Sequence, residues 1–98
     1  MIARIGTFHP LPPEIAAASR RNLLERFLPA LRAQEGLVAG LWLEAADGRR
    51  VSITVWVSEE MLRQGAARAN AVPLLPGQDP TQLPSADVVE TFQVVART

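Results

Sequence analysis

Two strand-like runs on either side of an Asp-Gly pair constrain the fold of this chain more than any other feature. Residues 51–57, "VSITVWV", alternate between apolar and other side chains, as β-strands do. The run at 37–43, "LVAGLWL", precedes them, and Asp47-Gly48 between the two runs is a favoured two-residue hairpin turn. Both faces of this hairpin are largely apolar, so both need to be covered in the folded protein.

The hairpin register decides which side chains share a face of the sheet, because a shift of one residue inverts every assignment. A two-residue loop places Trp42 on the face opposite Trp56, together with Val51, Ile53 and Val55. The face of Trp56 then carries Ser52, Thr54, Leu37, Ala39, Leu41 and Leu43. A one-residue bulge would exchange the two sets.

The remaining elements are predicted from periodicity, caps and prolines: strands at 2–8 and 87–96, helices at 14–34 and 59–71, and a proline-rich loop at 72–86. Pro29 predicts a kink or restart in the first helix, because it lacks an N–H and clashes with the preceding turn. Ser58 is a good N-cap for the second helix. The order strand, helix, strand, strand, helix, strand predicts a single ferredoxin-like α+β domain over 1–98, with a four-stranded antiparallel sheet.

Composition argues against several classes of function. Ten basic and ten acidic residues balance, so no charge pattern indicates nucleic acid or a membrane surface. There is no cysteine, and the single histidine makes a metal site held by protein side chains alone improbable. The apolar runs are short and no signal-peptide pattern is present, so we expect a cytoplasmic protein.

Two short segments carry a resemblance to a known family. "QEGLVAGLWL" has a helix end, a Gly, a large apolar residue and a second Gly that opens a strand, and "VWVSEEMLRQ" has a strand-end Trp, a Ser and an acidic helix start. In these segments and in its element order, the chain resembles the antibiotic-biosynthesis monooxygenase family of dimeric α+β barrels. The resemblance implies a homodimer in which two sheets pack face to face, with Trp42 as an anchor of that interface.

The resemblance also implies a ligand pocket between each sheet and its own helices. Trp56, at the strand end, would line it, with Ser52 and Thr54 as polar groups beside the indole. The small residues of the second helix would leave space above the ring; they are Gly65, Ala66 and Ala69. In the alternative interpretation, these small residues let the helix pack closely on Trp56, which is then plain core.

The chemistry known for the family is cofactor-free oxidation of phenols and quinols and, in one branch, haem breakdown. Of the residues used by the haem branch only Trp56 is matched, so we expect no haem. For phenol oxidation, Arg4 is a candidate cation beside a phenolate and His9 a candidate base. Arg20, at the edge of the apolar stripe of the first helix, is a candidate ligand-binding residue. The alternatives are that Arg4 is an exposed strand cation, that Arg20 extends to water, and that His9 is a surface residue.

Two functions from different classes therefore stand. One is a small monooxygenase-like enzyme that acts on an aromatic or quinol-type molecule without metal or flavin. The other is a non-catalytic homodimer that binds a small apolar ligand or serves as an accessory module. Open volume beside Arg4 or His9 would favour the enzyme, and a space filled by Trp56 and the helix would favour the module.

Overall fold

The structure is a computed structural model and describes residues 1–98. The chain folds into a four-stranded antiparallel sheet with its helices on one face. Its strands run in the spatial order β2-β3-β1-β4, which confirms the predicted ferredoxin-like arrangement. The elements are β1 Ile2–Phe8, α1 Pro13–Asn22, a π-helical turn Leu23–Phe27, α2 Leu28–Arg32, β2 Leu37–Glu44, β3 Arg50–Trp56, α3 Glu59–Ala71, a 3-10 turn Pro80–Gln82 and β4 Val88–Gln93. None of the helices has the length and apolar character needed to cross a membrane.

The interruption expected at Pro29 takes the form of the π-helical turn that directly precedes it. The N–H of Leu28 donates to the carbonyl of Leu23, five residues back, instead of four. This widened turn lies between α1 and α2 on a continuous helical backbone, and Pro29, which has no N–H to donate, follows it in the first turn of α2. The long helix predicted at 14–34 is therefore two α-helices with a wider turn between them.

Helix α3 begins and ends with side-chain contacts to its free backbone groups. Ser58 is the N-cap, as predicted, and its hydroxyl accepts a hydrogen bond from the N–H of Met61 at 3.2 Å. At the other end, Arg26 from the π-helical turn donates to backbone carbonyls at 2.6–3.2 Å. Those carbonyls belong to Asn70, Val72 and Pro73. Arg26 thus ties the π-helical turn to the end of α3.

The hairpin between β2 and β3 has a three-residue loop, so the register predicted from a two-residue turn is wrong. The N–H of Ala45 donates to the carbonyl of Arg49 at 2.8 Å, which closes the loop over Ala46, Asp47 and Gly48. Gly48 has φ +92°, the left-handed conformation that such loops require at this position. As a result Trp42 faces Ser52 across the ladder. The two sets of side chains are therefore exchanged, as expected for the alternative register with one extra residue.

This register places Trp42 on the same face of the sheet as Trp56. The prediction that Trp42 lies on the opposite face and anchors the dimer interface is therefore wrong. The helix side of the sheet carries Ile2, Arg4, Gly6, Phe8, Gly40, Trp42, Glu44, Arg50, Ser52, Thr54 and Trp56. The outer side carries Ala3, Ile5, Leu41, Leu43, Val51, Ile53, Val55, Val88, Glu90 and Phe92. Within the chain nothing covers this outer face, and four of its large apolar side chains are exposed.

The buried core occupies only one end of the helix side. Its members are Ile2, Leu31, Trp56, Leu62 and Ala69. They come from one end of β1 and of β3 and from α2 and α3, and α3 contacts α2, β2 and β3. Toward the other end of the sheet, around Arg50, the helices leave an open space, and that space is the candidate site.

Candidate functional site

A cavity of about 660 Å³ lies between the sheet, the α1 and π-helical segment, and the end of the proline-rich loop. That volume suits a small organic molecule. Its floor is formed by Arg4, Phe8, Trp42, Glu44, Arg50 and Ser52. Opposite the floor are Ser19, Arg20, Leu23, Leu24 and Phe27, and residues 83–86 close one side. The cavity is partly open, since Leu24 lines it and is 56% exposed.

Trp42 forms an aromatic wall of this cavity because Gly40 leaves room for its ring. The indole lies over residue 40, where a Cβ atom would be 2.8 Å from Cζ3 of Trp42. A smaller cavity of about 270 Å³ is also lined by Trp42, together with Leu28 and Leu31. Trp42 therefore lines both open volumes.

The charge on the cavity wall is strongly unbalanced. Four arginines line it, Arg4, Arg20, Arg26 and Arg50, against one carboxylate, Glu44. Arg20 Nη2 pairs with Glu44 Oε2 at 2.8 Å. Arg26 directs its donors to the end of α3. Arg4 takes part in none of the four ion pairs of the chain.

Arg4 and Ser52 come together over Gly6 on the cavity floor. A Cβ at Gly6 would be 2.8 Å from the Ser52 hydroxyl oxygen and 3.6 Å from Arg4 Nη1. The absence of a side chain at residue 6 therefore gives these two polar groups their place. A guanidinium without a carboxylate partner and a hydroxyl beside it can bind an oxyanion.

Arg50 lies at the far end of the floor, next to the hairpin. Its Nη1 donates to the hydroxyl of Ser19 at 3.2 Å, and its guanidinium carbon is 5.6 Å from the centre of the Phe8 ring. Glu44 is directly opposite Arg50 in the ladder, but the Glu44 carboxylate pairs with Arg20. The Nη2 atom of Arg50 is buried and has no hydrogen-bond partner.

Four of the residues predicted from the sequence line the cavity: Arg4, Arg20, Ser52 and Ala66. Trp56 does not. Its side chain is 1% exposed and lies in the core beneath α3, where Gly65 and Ala69 pack close to it. The wall position expected for Trp56 is taken by Trp42, because the three-residue hairpin loop turns residue 42 toward the helices.

His9 and Thr54 also lie away from the cavity. His9 follows the end of β1 at the surface, and its backbone N–H donates to Asp87 Oδ2 at 2.7 Å. Thr54 is buried between Arg4 and Gly40 in the ladders, but it does not line the open volume. Neither residue lines the cavity beside Arg4.

Several lining residues were not predicted from the sequence, above all Trp42, Glu44 and Arg50. The alternation of β2 and β3 contains the signal for them. In the register with a three-residue loop, all three residues share a face with Ser52. Arg50 shares the face of Ser52 in either register, because it lies two residues away on β3. Trp42 and Glu44 join that face only with the three-residue loop, and choosing that loop length from the sequence was the missing step for those two.

The lowered carboxyl pKa values of this protein belong to turns outside the cavity. A hydrogen bond from the backbone N–H of Arg49 lowers the pKa of Asp47, and the Arg49 guanidinium adds to the effect. The hydroxyl and N–H of Thr81 lower the pKa of Asp79. Both carboxylates are exposed, so these shifts report local turn geometry rather than cavity chemistry.

The cavity has no set of side chains suited to a metal centre. The chain has no cluster of three or more His, Cys, Asp or Glu residues that could hold a metal ion. The cavity lining contains no histidine, methionine or tyrosine, and its one carboxylate, Glu44, is paired. These residues do not fit a haem iron, which is usually held in proteins by an axial His, Cys, Met or Tyr.

Several solved structures are similar to this chain over nearly its whole length. No protein-family model and no curated protein matches the chain. A mutant of MhuD with two manganese protoporphyrin IX molecules per active site is 17% identical, with a TM-score of 0.74 over 100% of this chain and 98% of that one. The monooxygenase from the Streptomyces coelicolor gene ActVA-Orf6, in complex with nanaomycin D, is 17% identical, with a TM-score of 0.64 over 99% and 88%.

A mutant of SnoaB, a cofactor-independent oxygenase from Streptomyces nogalater, is 24% identical, with a TM-score of 0.52 over 99% of this chain and 91% of that one. At these identities the likeness shows the fold, and it extends over nearly the whole chain. The chain therefore has the ferredoxin-like fold that occurs in antibiotic-biosynthesis monooxygenases.

Proposed function

We propose that this chain is a cofactor-independent monooxygenase of the antibiotic-biosynthesis monooxygenase family, acting on an aromatic or quinol-type small molecule in the 660 Å³ cavity. The observation that carries the proposal is Arg4, a cation without an ion-pair partner on the cavity floor, with the Ser52 hydroxyl next to it. Cofactor-free oxygenation needs a phenolate, and this is the place in the chain that best stabilises one.

The role of Arg4 follows from electrostatics. A phenol whose hydroxyl lies against the guanidinium and the Ser52 hydroxyl has its pKa lowered, because both groups bind the anion better than the neutral phenol. Arg4 is a permanent cation and accepts no proton, so the phenolic proton passes to water at the open side of the cavity. The phenolate is then held where it can donate an electron to dioxygen.

The oxidation balances with dioxygen as the only oxidant. For a phenol with a free para position, one oxygen atom forms a bond to the para carbon, the O–O bond breaks, and the second oxygen leaves as water. The substrate loses its phenolic and para hydrogens and becomes a quinone. Trp42 and Phe27 contribute an apolar wall that stacks on the ring and keeps water from the reacting carbon.

The test is oxygen uptake with 1-naphthol as the probe, which this reaction would convert to 1,4-naphthoquinone and water. Under labelled dioxygen, one labelled atom should enter the quinone. Arg4→Gln should lower the rate by about a hundredfold or more, as for the loss of an oxyanion-binding group. Arg63→Gln, an equal charge change on the exposed face of α3, should leave the rate unchanged. An unaffected rate in Arg4→Gln would overturn the proposal.

A second candidate function is a non-catalytic module that binds an apolar or aromatic ligand. The specific observation in its favour is that the only histidine, His9, is outside the cavity, and the only carboxylate of the lining, Glu44, is paired with Arg20. The wall therefore contains no free general base. Saturable binding of 1-naphthol with no oxygen uptake above buffer would support this function.

We also propose that a second copy of the chain covers the outer face of the sheet. Exposed apolar side chains extend across that face from Leu41 and Leu43 on β2 to Val88 and Phe92 on β4. An exposed apolar patch of this kind on a protein of this size suits an isologous dimer, in which the same face of each subunit packs on the other. This is the dimeric barrel that the family resemblance implies.

A further inference from the structure

The cavity holds more positive charge than the proposed oxidation requires. The chain as a whole has ten basic and ten acidic residues, yet the lining has four arginines and one glutamate. Arg4 has a role in the proposed function, and Arg26 is hydrogen-bonded to carbonyls at the end of α3. Of the other two guanidinium groups, that of Arg20 pairs with the single carboxylate, Glu44, and that of Arg50 has no carboxylate partner.

Arg50 is the less satisfied of the two. Its only hydrogen bond is to the neutral hydroxyl of Ser19, and its Nη2 atom is buried without a partner. The Phe8 ring beneath it compensates only part of the lost hydration, because a cation–π contact is weaker than a charged hydrogen bond. A buried guanidinium N–H without a hydrogen-bond partner is unfavourable, and an anion that reached it would relieve the deficit.

We propose that the end of the cavity around Arg50 and Arg20 binds an anionic group of the ligand, so that the ligand is an aromatic carboxylic acid. The carboxylate lies beside Arg50, and the aromatic rings extend over Trp42 toward Arg4. With this anion present, the two arginines of this end face two carboxylates, that of Glu44 and that of the ligand. The part played by Arg4 rests on the proposed function, whereas the anion subsite does not.

The spacing of the two ends agrees with a ligand of fused rings. Phe8, opposite Arg50 in the ladder, is four residues beyond Arg4 on β1, and all three side chains are on the helix side. Four residues of strand correspond to about 13 Å between the two backbone positions, and the Arg4 guanidinium, which lies over Gly6, shortens the distance between the charged groups. A phenol and a carboxylate on opposite ends of a bicyclic or tricyclic aromatic fit between two flexible arginines at that separation.

The experiment compares two probes that differ by one carboxylate, 1-naphthol and 5-hydroxy-2-naphthoic acid, with binding measured by calorimetry on the full chain. The acid should bind at least about tenfold more tightly, which corresponds to about 1.4 kcal/mol, because it adds a charged hydrogen bond at Arg50. Added salt should weaken binding of the acid more than that of 1-naphthol, because the acid carries a second anionic group. Equal affinities for the two probes would overturn the proposal.

Two variants with opposite charge changes locate the subsite. Arg50→Gln should remove most of the preference for the acid, whereas Arg49→Gln, one residue earlier on the exposed hairpin, should keep it. Glu44→Gln should increase the preference, because it removes the competing carboxylate, and the control Glu60→Gln should not. If Arg50→Gln does not fold, the proposal is tested by Glu44→Gln alone, in which the preference for the acid should increase. Loss of the preference in Glu44→Gln would mean that these residues act through structure alone, and would overturn the proposal.

The binding test can succeed or fail independently of the proposed oxidation. Tight, Arg50-dependent binding of the acid without oxygen uptake would retain the anion subsite and reject the monooxygenase. Oxidation of 1-naphthol by a protein that does not prefer the acid would retain the monooxygenase and reject the subsite.

Discussion

The indole of Trp56 lies directly against the backbone of Gly65, so that a Cβ atom on residue 65 would be 2.5 Å from Cη2 of the ring. No side chain fits between β3 and α3 at this point. The small residues of α3 therefore bring the helix onto the tryptophan rather than leave a space above it. This contact assigns Trp56 to the core and moves the candidate site to the Trp42 side of the sheet.

Gly65→Ala should destabilise the protein although alanine is the better helix former. The clash with a buried ring that has no free space should cost about 1–3 kcal/mol of unfolding free energy, more than the gain of about 1 kcal/mol in helix propensity. Denaturant unfolding measures the sum. In combination with Trp56→Phe, whose shorter ring leaves room for the methyl group, Gly65→Ala should cost much less. Equal costs in both backgrounds would contradict the direct contact.

Trp56→Phe and Trp42→Phe should have opposite profiles. Trp56→Phe leaves a void in the core and should lower the unfolding free energy by about 1–2 kcal/mol. Because Trp56 does not line the cavity, 1-naphthol affinity should stay within about twofold of the unsubstituted protein. Trp42 is only partly buried, so Trp42→Phe should cost less stability and weaken binding several-fold. Unfolding curves and titrations of both variants are the measurements, and weakened binding in Trp56→Phe alone would reverse the assignment.

The elements of this fold could be predicted from the sequence because their signals are local. Alternation predicted β2 and β3, the Ser58 cap predicted the start of α3, and Pro29 predicted the break in the long helix. The face of Trp42 could not be predicted in the same way. It depends on whether the hairpin loop has two or three residues, and one residue inverts the whole strand.

The site was predictable only in part for a related reason. Arg4 and Ser52 lie on strands whose helix-side positions the alternation indicates. The environment of Arg50 depends on contacts with Ser19 and Phe8, which are distant from it in the sequence. Composition likewise hides the charge of the cavity, because a chain with no net charge can still place four of its ten arginines around one cavity.

Haem should not bind specifically to this protein. The cavity lining contains no side chain that usually ligates haem iron, and the single histidine of the chain is outside it. In a haem titration, the Soret band should shift gradually and without saturation. Saturation at one haem per chain, with an iron–nitrogen signature, would contradict this expectation. His9→Ala would then show whether the surface histidine is the ligand.

The last prediction concerns the outer face of the sheet, where Leu41 is 58% exposed in the single chain. If a second copy covers this face, sedimentation at micromolar concentration should give about twice the chain mass of 10.7 kDa. Leu41→Glu should then yield a folded monomer, because a charge buried in an apolar interface has no partner there. Leu74→Glu, the same change on the proline-rich loop, should remain dimeric. A monomeric unsubstituted chain would remove the argument for a barrel, and equal behaviour of the two variants would place the interface elsewhere.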